Sequence, residues 1–94
     1  MKKQRVEDEN LLGHLEDLAN SLNIEVRYEQ LKKEGAFFPG GLCKVKGEDI
    51  IIINSNATIE DKIVTLSKAL STFDLSQIYI RPALREFLSS HSFD

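Results

Sequence analysis

The stretch GGLCKVKGEDIIIINSNATIEDKI, residues 40–63, holds most of the information that decides the fold. Residues 42–46 and 49–54 flank Gly47-Glu48, and this arrangement predicts a β-hairpin because glycine supplies the positive φ that tight turns need. The second run contains four consecutive isoleucines with no polar alternation. Such a run is typical of a strand that is covered on both faces and therefore lies at the centre of a sheet.

A helix is predicted directly after this strand. The hydroxyl of Thr58 can cap its first turn, and Asp61, three residues later, offers a variant of the capping box. Apolar residues then recur at alternating spacings of four and three, the stripe of a helix with one buried face. These residues are Ile59, Ile63, Leu66, Leu70 and Phe73. Asp74 is predicted to end the helix.

The sequence of residues 6–29 predicts one helix followed by one strand. From about Val6 to Leu22, leucines recur at spacings of four, three and four, which indicates an amphipathic helix. Asn23 is a plausible stop because asparagine tolerates the left-handed backbone conformation. In residues 24–29 the apolar Ile24, Val26 and Tyr28 alternate with charged residues, so a half-buried strand follows.

Near the C-terminus, residues 78–80 are predicted to be extended, and Pro82 pre-sets φ for a short final helix with Ala83, Leu84, Phe87 and Leu88 facing inward. The predicted fold class is therefore α+β: helix, strand, β-hairpin, helix and short C-terminal helix, with a small three-stranded sheet centred on Ile50–Ile53. The 94 residues suit a single domain, 1–94, with residues 1–5 and 91–94 expected to fray.

Composition excludes several classes of protein. The net charge is −3 with interspersed signs, so nucleic acid is not the default partner. No run of about 20 apolar residues could span a bilayer, and the N-terminus lacks the apolar segment of a signal peptide. Cys43 is the single cysteine, which rules out an intrachain disulfide. We expect a cytoplasmic protein without membrane association.

The layout from Gly40 to about Phe73 resembles the minimal zincin core of the ImmA/IrrE-type metallopeptidases. In that family a glycine-led hairpin, a strand ending in an Ile/Asn corner and a capped helix deliver an HExxH motif. The resemblance covers about a third of the chain and is carried by the order of elements and by IIIINS, residues 50–55. It implies a zincin-like scaffold.

The catalytic motif of that family is missing here. HExxH would fall at residues 67–71 or 68–72, which read SKALS and KALST. Catalytic zinc needs about three N, O or S ligands and an open position for water. The two histidines, His14 and His91, are not paired at helical spacing. The sequence therefore predicts no catalytic residue, no metal and no cofactor, either because a site was lost or because the two layouts converged.

The candidate interaction site is the irregular loop of residues 35–41. Phe37 and Phe38 stand between glycines and a proline and cannot easily both point inward. We expect them, with Pro39, Gly40 and Gly41, to contact an unknown protein partner or a second copy of the chain. The other interpretation is a small satellite core beneath the loop.

Two alternative functions stay open at this point. Lys32, Lys33, Lys44 and Lys46 with Phe37 and Phe38 could grip a nucleic-acid single strand, although neighbouring acids dilute the patch. An unrecognised enzyme would need a pocket with converging polar groups. Cys43 is more typical of a buried core thiol than of a nucleophile.

Overall fold

The structure, a computed structural model, describes residues 2–31 and 39–90 of the chain. The elements in these ranges are α1 (Lys2–Ser21), β1 (Glu25–Glu29), β2 (Gly40–Val45), β3 (Glu48–Asn54), α2 (Ile59–Leu70) and α3 (Pro82–Ser90). This order confirms the predicted α+β class. Helix α1 begins at Lys2, earlier than the predicted Val6, and residues 91–94 lie outside the described ranges.

The described strands form a three-stranded sheet in the order β1-β3-β2. Strand β3 pairs in parallel with β1 and antiparallel with β2, so the isoleucine strand is central, as predicted. The hairpin turn lies at Lys46 and Gly47, one residue earlier than predicted, and both have positive φ, 52° and 85°. Two positive φ values match the hairpin turn whose twist suits the flanking strands.

The helices pack on one side of this sheet. Ile51 and Ile53 project to that side and are fully buried, and helices α1, α2 and α3 contribute to the same hydrophobic cluster. The remaining buried members of this cluster are Leu15, Leu18, Ala19, Ile24, Ile63, Leu66, Ala69, Leu70, Ile80 and Leu84. The molecule is therefore built from a helical layer and a sheet layer with the core between them.

The opposite side of the sheet carries Ile50 and Ile52, because successive side chains of a strand alternate between faces. Ile50 is 4% exposed, but Ile52 is only half-buried. Arg27, which pairs with Ile52 in the register, forms an ion pair with Glu25 at 2.8 Å on this face. The prediction that the strand is covered on both faces therefore holds for Ile50 and fails for Ile52.

The C-terminal end of α1 and the start of α2 are set by the capping residues that the sequence predicts. Asn23 has φ 61°, and Ile24 N donates to Ala19 O at 2.9 Å, which closes α1 with a left-handed stop. The Thr58 hydroxyl accepts a hydrogen bond from Asp61 N at 3.1 Å. Helix α2 ends at Leu70 rather than at the predicted Asp74.

Residues 78–80, which the sequence predicts to be extended, lie outside the described helices and strands. Ile78 and Ile80 pack against the core, so Tyr79 between them points outward and is 81% exposed. In α3, Leu84 is buried as predicted, whereas Ala83 is exposed. Within the described ranges, no helix combines the length and the apolar character needed to cross a membrane.

Candidate functional site

The predicted interaction loop is only partly described. Phe37 and Phe38 lie in residues 32–38, outside the described ranges, so their role stays a prediction. Pro39, Gly40 and Gly41 are described and line a groove of about 400 Å³ between β2 and α2. We call this the β2–α2 groove. Its other lining residues are Leu42, Val64, Thr65, Lys68, Ala69 and Thr72.

Two half-exposed apolar side chains form opposite walls of the groove. Leu42 pairs with Ile51 and therefore projects to the helical side of the sheet, where it is 41% exposed. Val64 lies on α2 outside the buried stripe and is 48% exposed. Both residues line the same groove, so they form one apolar surface rather than two isolated exposed residues.

Gly40 allows the backbone at the start of β2 to pass close to the backbone of β3, where the groove begins. Its φ is 124°, and a Cβ atom at this position would lie 2.1 Å from the carbonyl oxygen of Ile52. Pro39 O accepts a hydrogen bond from Asn54 N at 2.9 Å. The Asn54 side chain donates to Leu31 O at 3.2 Å and accepts from Asn56 N at 3.0 Å. This network fixes the entry of the chain into β2.

The outer edge of β2 carries backbone groups that point away from the sheet. Val45 pairs with Glu48 across the two-residue turn, so the hydrogen-bonded pairs with β3 involve every second residue from Val45 back to Pro39. The hydrogen bond between Asn54 and Pro39 agrees with this alternation. The N–H and C=O groups of Leu42 and Lys44 therefore face outward, where no described strand pairs with them.

The described lining of the groove is positively charged. Lys68 is the one ionisable side chain among the described residues that line it. Lys44, on the neighbouring part of β2, lies 3.6 Å from the Asp49 carboxylate and is partly neutralised by it. The described residues of the groove thus combine apolar walls, outward-facing backbone groups of β2 and one cation.

Other residues that the sequence singled out are dispersed. Lys46 lies in the hairpin turn rather than on the strand face of Lys44, and Lys32 and Lys33 are outside the described ranges, so nucleic-acid binding stays a prediction. Cys43 is exposed, which corrects the expectation of a core thiol, because it projects from an edge strand to the side without described helices. His14 lines a smaller hollow of about 180 Å³ with Asp17, Tyr79 and Arg81 as polar or aromatic neighbours.

The two serines at the ends of residues 67–71, where HExxH would fall, differ in burial and hydrogen bonding. Ser67 is fully buried and its hydroxyl has no hydrogen-bond partner among the described residues, whereas Ser71 is exposed and its hydroxyl donates to Lys68 O at 2.8 Å. Across the described part of the chain, no three His, Cys, Asp or Glu side chains are grouped so that they could hold a metal ion.

Sequence reasoning missed Leu42, Val64 and Lys68 as members of one surface. Val64 falls outside the buried stripe of α2, and this was the only available signal. Its proximity to Leu42 depends on how α2 packs on the hairpin.

Comparisons with family models, curated proteins and solved structures find no match to this chain.

Proposed function

We propose that this protein is a small, non-catalytic, cytoplasmic interaction module whose docking surface is the β2–α2 groove together with the outer edge of β2. The observation that carries this proposal is the position of two half-exposed apolar residues, Leu42 and Val64, beside outward-facing backbone groups. An extended segment of a partner protein could add to β2 as a further strand. This mode gives affinity through main-chain hydrogen bonds and specificity through alternate side chains.

The energetic reason lies in the apolar walls. Full burial of a Val or Leu side chain contributes about 1.5–3 kcal/mol. Leu42 and Val64 are 41% and 48% exposed, so a partner side chain between them could recover about 1 kcal/mol from each. Pro39, Gly40 and Gly41 line the same groove, which supports part of the interaction site predicted from the sequence.

The zincin-like resemblance enters as part of this proposal: the protein would be a metal-free scaffold that needs no zinc for folding. The order of hairpin, central strand and capped helix supports it. We expect purified protein to contain no stoichiometric zinc by elemental analysis and to keep its melting temperature in EDTA. Stoichiometric zinc together with melting in EDTA would contradict the proposal.

The docking surface can be tested by selecting displayed random decapeptides on the immobilised full chain. We expect selected peptides to shift the amide NMR signals of β2 and of the groove side of α2. Leu42→Pro should abolish binding, because proline removes an outward-facing N–H while the inward hydrogen bonds to β3 remain. Val64→Glu, at an exposed helix position, is the second variant in case Leu42→Pro does not fold.

Two results would contradict the docking surface. Selected peptides could shift signals elsewhere in the molecule, or they could bind both folded variants as tightly as the wild-type chain. Either result would show that the groove is not the interaction surface. Catalytic function would be favoured instead if binding mapped to the hollow beside His14 and the bound peptide were chemically changed.

A further inference from the structure

We propose that the β2–α2 groove selects an extended segment that carries a carboxylate two residues away from an apolar side chain. This inference rests on the proposed function and names the chemistry of the partner. The apolar side chain would lie between Leu42 and Val64, and the carboxylate would face Lys68. The backbone of the segment would pair with the outward groups of Leu42 and Lys44.

The spacing follows from the geometry of the two elements. Val64 and Lys68 are four residues apart on α2, which corresponds to a rise of about 6 Å along the helix. Side chains on the same face of a strand are two residues apart, or about 6.8 Å. An added strand that runs along α2 and places one side chain against Val64 would therefore place its next same-face side chain near Lys68. Thr72, beyond the end of α2, lines the groove as well.

The charge of Lys68 determines which side chain of the partner segment is favoured two residues away from the apolar one. Lys68 is exposed, and none of the described residues that line the groove is acidic, so an incoming carboxylate would meet a cation there. Lys44 is already paired with Asp49 at 3.6 Å, which leaves Lys68 as the main electrostatic determinant. An incoming lysine would meet like charge and bind less tightly.

The same charges argue against a second copy of the chain as the occupant. A two-fold interface uses the same patch on both subunits. Two copies joined through β2 would bring Lys68 of one copy toward Lys68 of the other, whereas Lys44 is already paired with Asp49 within each copy. A different protein with an acidic, extended segment fits the surface better.

The test uses the full chain and blocked nonapeptides titrated by amide NMR. The probes are STSVTESTS and STSETVSTS, which present the valine and the glutamate in both orders because a strand can add in either direction. In matched peptides glutamine or lysine replaces the glutamate. We expect the better glutamate peptide to bind about three-fold more tightly than its glutamine counterpart, with a larger difference from the lysine peptide and a smaller preference in 0.5 M salt.

Charge exchange gives the decisive comparison. Lys68→Glu should reverse the preference so that the lysine peptide binds best, and Lys68→Gln should remove the preference. Lys46→Glu is the matched control, because it makes the same charge change in the hairpin turn, outside the groove lining. The control should retain the glutamate preference.

The remaining outcomes separate this inference from the proposed function. Equal binding of all peptides at β2 and α2, or equal effects of Lys68→Glu and Lys46→Glu, would overturn the acidic preference and leave the docking surface standing. If no designed peptide bound while display-selected peptides bound the groove, the acidic preference would likewise be overturned and the docking surface would stand. If neither set bound there, both proposals would fall. A dimer in sedimentation equilibrium that Leu42→Pro dissociates would assign the groove to a second copy and overturn the inference.

Discussion

Gly40 holds a backbone conformation that a side chain would strain, since its φ is 124° and a Cβ would lie 2.1 Å from the Ile52 carbonyl oxygen. A residue forced into such a region costs about 1–3 kcal/mol, before the steric clash is added. We expect Gly40→Ala to lower the free energy of unfolding by more than about 2 kcal/mol in urea titrations. Gly41→Ala is the matched control, because a Cβ there meets nothing within 4 Å and should change stability by less than about 0.5 kcal/mol. Equal effects would show that Gly40 does not constrain β2.

Ser67 is fully buried on α2, and its hydroxyl finds no hydrogen-bond partner in the part of the chain that the structure describes. A buried polar group without a partner costs about 1–3 kcal/mol, and alanine is also the better helix former. We therefore expect Ser67→Ala to raise the free energy of unfolding by about 1 kcal/mol. Ser71→Ala, at an exposed position, should change it by less than about 0.5 kcal/mol. A loss of stability in Ser67→Ala would mean that the hydroxyl has a structural role.

At the scale of elements, Tyr28 connects three of them. Its hydroxyl donates to the Glu16 carboxylate on α1, and Lys62 Nζ on α2 lies 5.7 Å from the centre of its ring. Partial burial, followed by the hydrogen bond to Glu16, raises the pKa of Tyr28 well above its ordinary value. The folded protein thus keeps this proton at a pH where the unfolded chain, with a tyrosine pKa of about 10, releases it.

The sign of the resulting pH dependence follows from this difference. The contribution of Tyr28 to stability is fully present below about pH 10 and decreases as the pH rises further toward the folded-state pKa. We expect the stability difference between wild type and Tyr28→Phe to shrink between pH 8 and pH 11 in urea titrations. Tyr79→Phe, whose ring is 81% exposed, should give a difference near zero at both pH values. A pH-independent difference for Tyr28→Phe would contradict this account.

Elements whose signals are local were predictable, and those that depend on packing were not. Asn23 and Thr58 mark their helix boundaries through their own backbone and side-chain chemistry, so the stop of α1 and the cap of α2 are confirmed. Cys43 was wrongly expected to be buried, because its exposure depends on which element covers it. Pro39, Gly40 and Gly41 of the predicted interaction site line the groove, and their role in binding stays a prediction. The wall that α2 contributes could not be predicted, because it depends on how α2 packs on the hairpin.

At the scale of the whole molecule, the helical layer makes the two faces of β3 unequal. Ile51 faces the helices and is fully buried, whereas Ile52 faces the other side and is half-buried beside Arg27. The uninterrupted isoleucine run conceals this difference, because it suggests equal burial on both faces. We therefore expect the central strand to tolerate a polar side chain at Ile52 but not at Ile51; Ile50, on the same side as Ile52, is buried.

This asymmetry predicts opposite outcomes for two neighbouring substitutions. Ile51→Asp would place an unpaired charge in the core at a cost of several kcal/mol, against a total stability of about 5–15 kcal/mol, so it should unfold the domain or leave it barely stable. Ile52→Asp would place its carboxylate next to Arg27 on the adjacent strand, where a cross-strand pair of opposite charges is favourable. We expect this second variant to remain folded and to lose about 1–2 kcal/mol, mainly from lost apolar burial. Circular dichroism melting of both variants provides the measurement. If Ile52→Asp unfolded as completely as Ile51→Asp, both faces of β3 would have to be core, and the division into one helical and one sheet layer would be wrong.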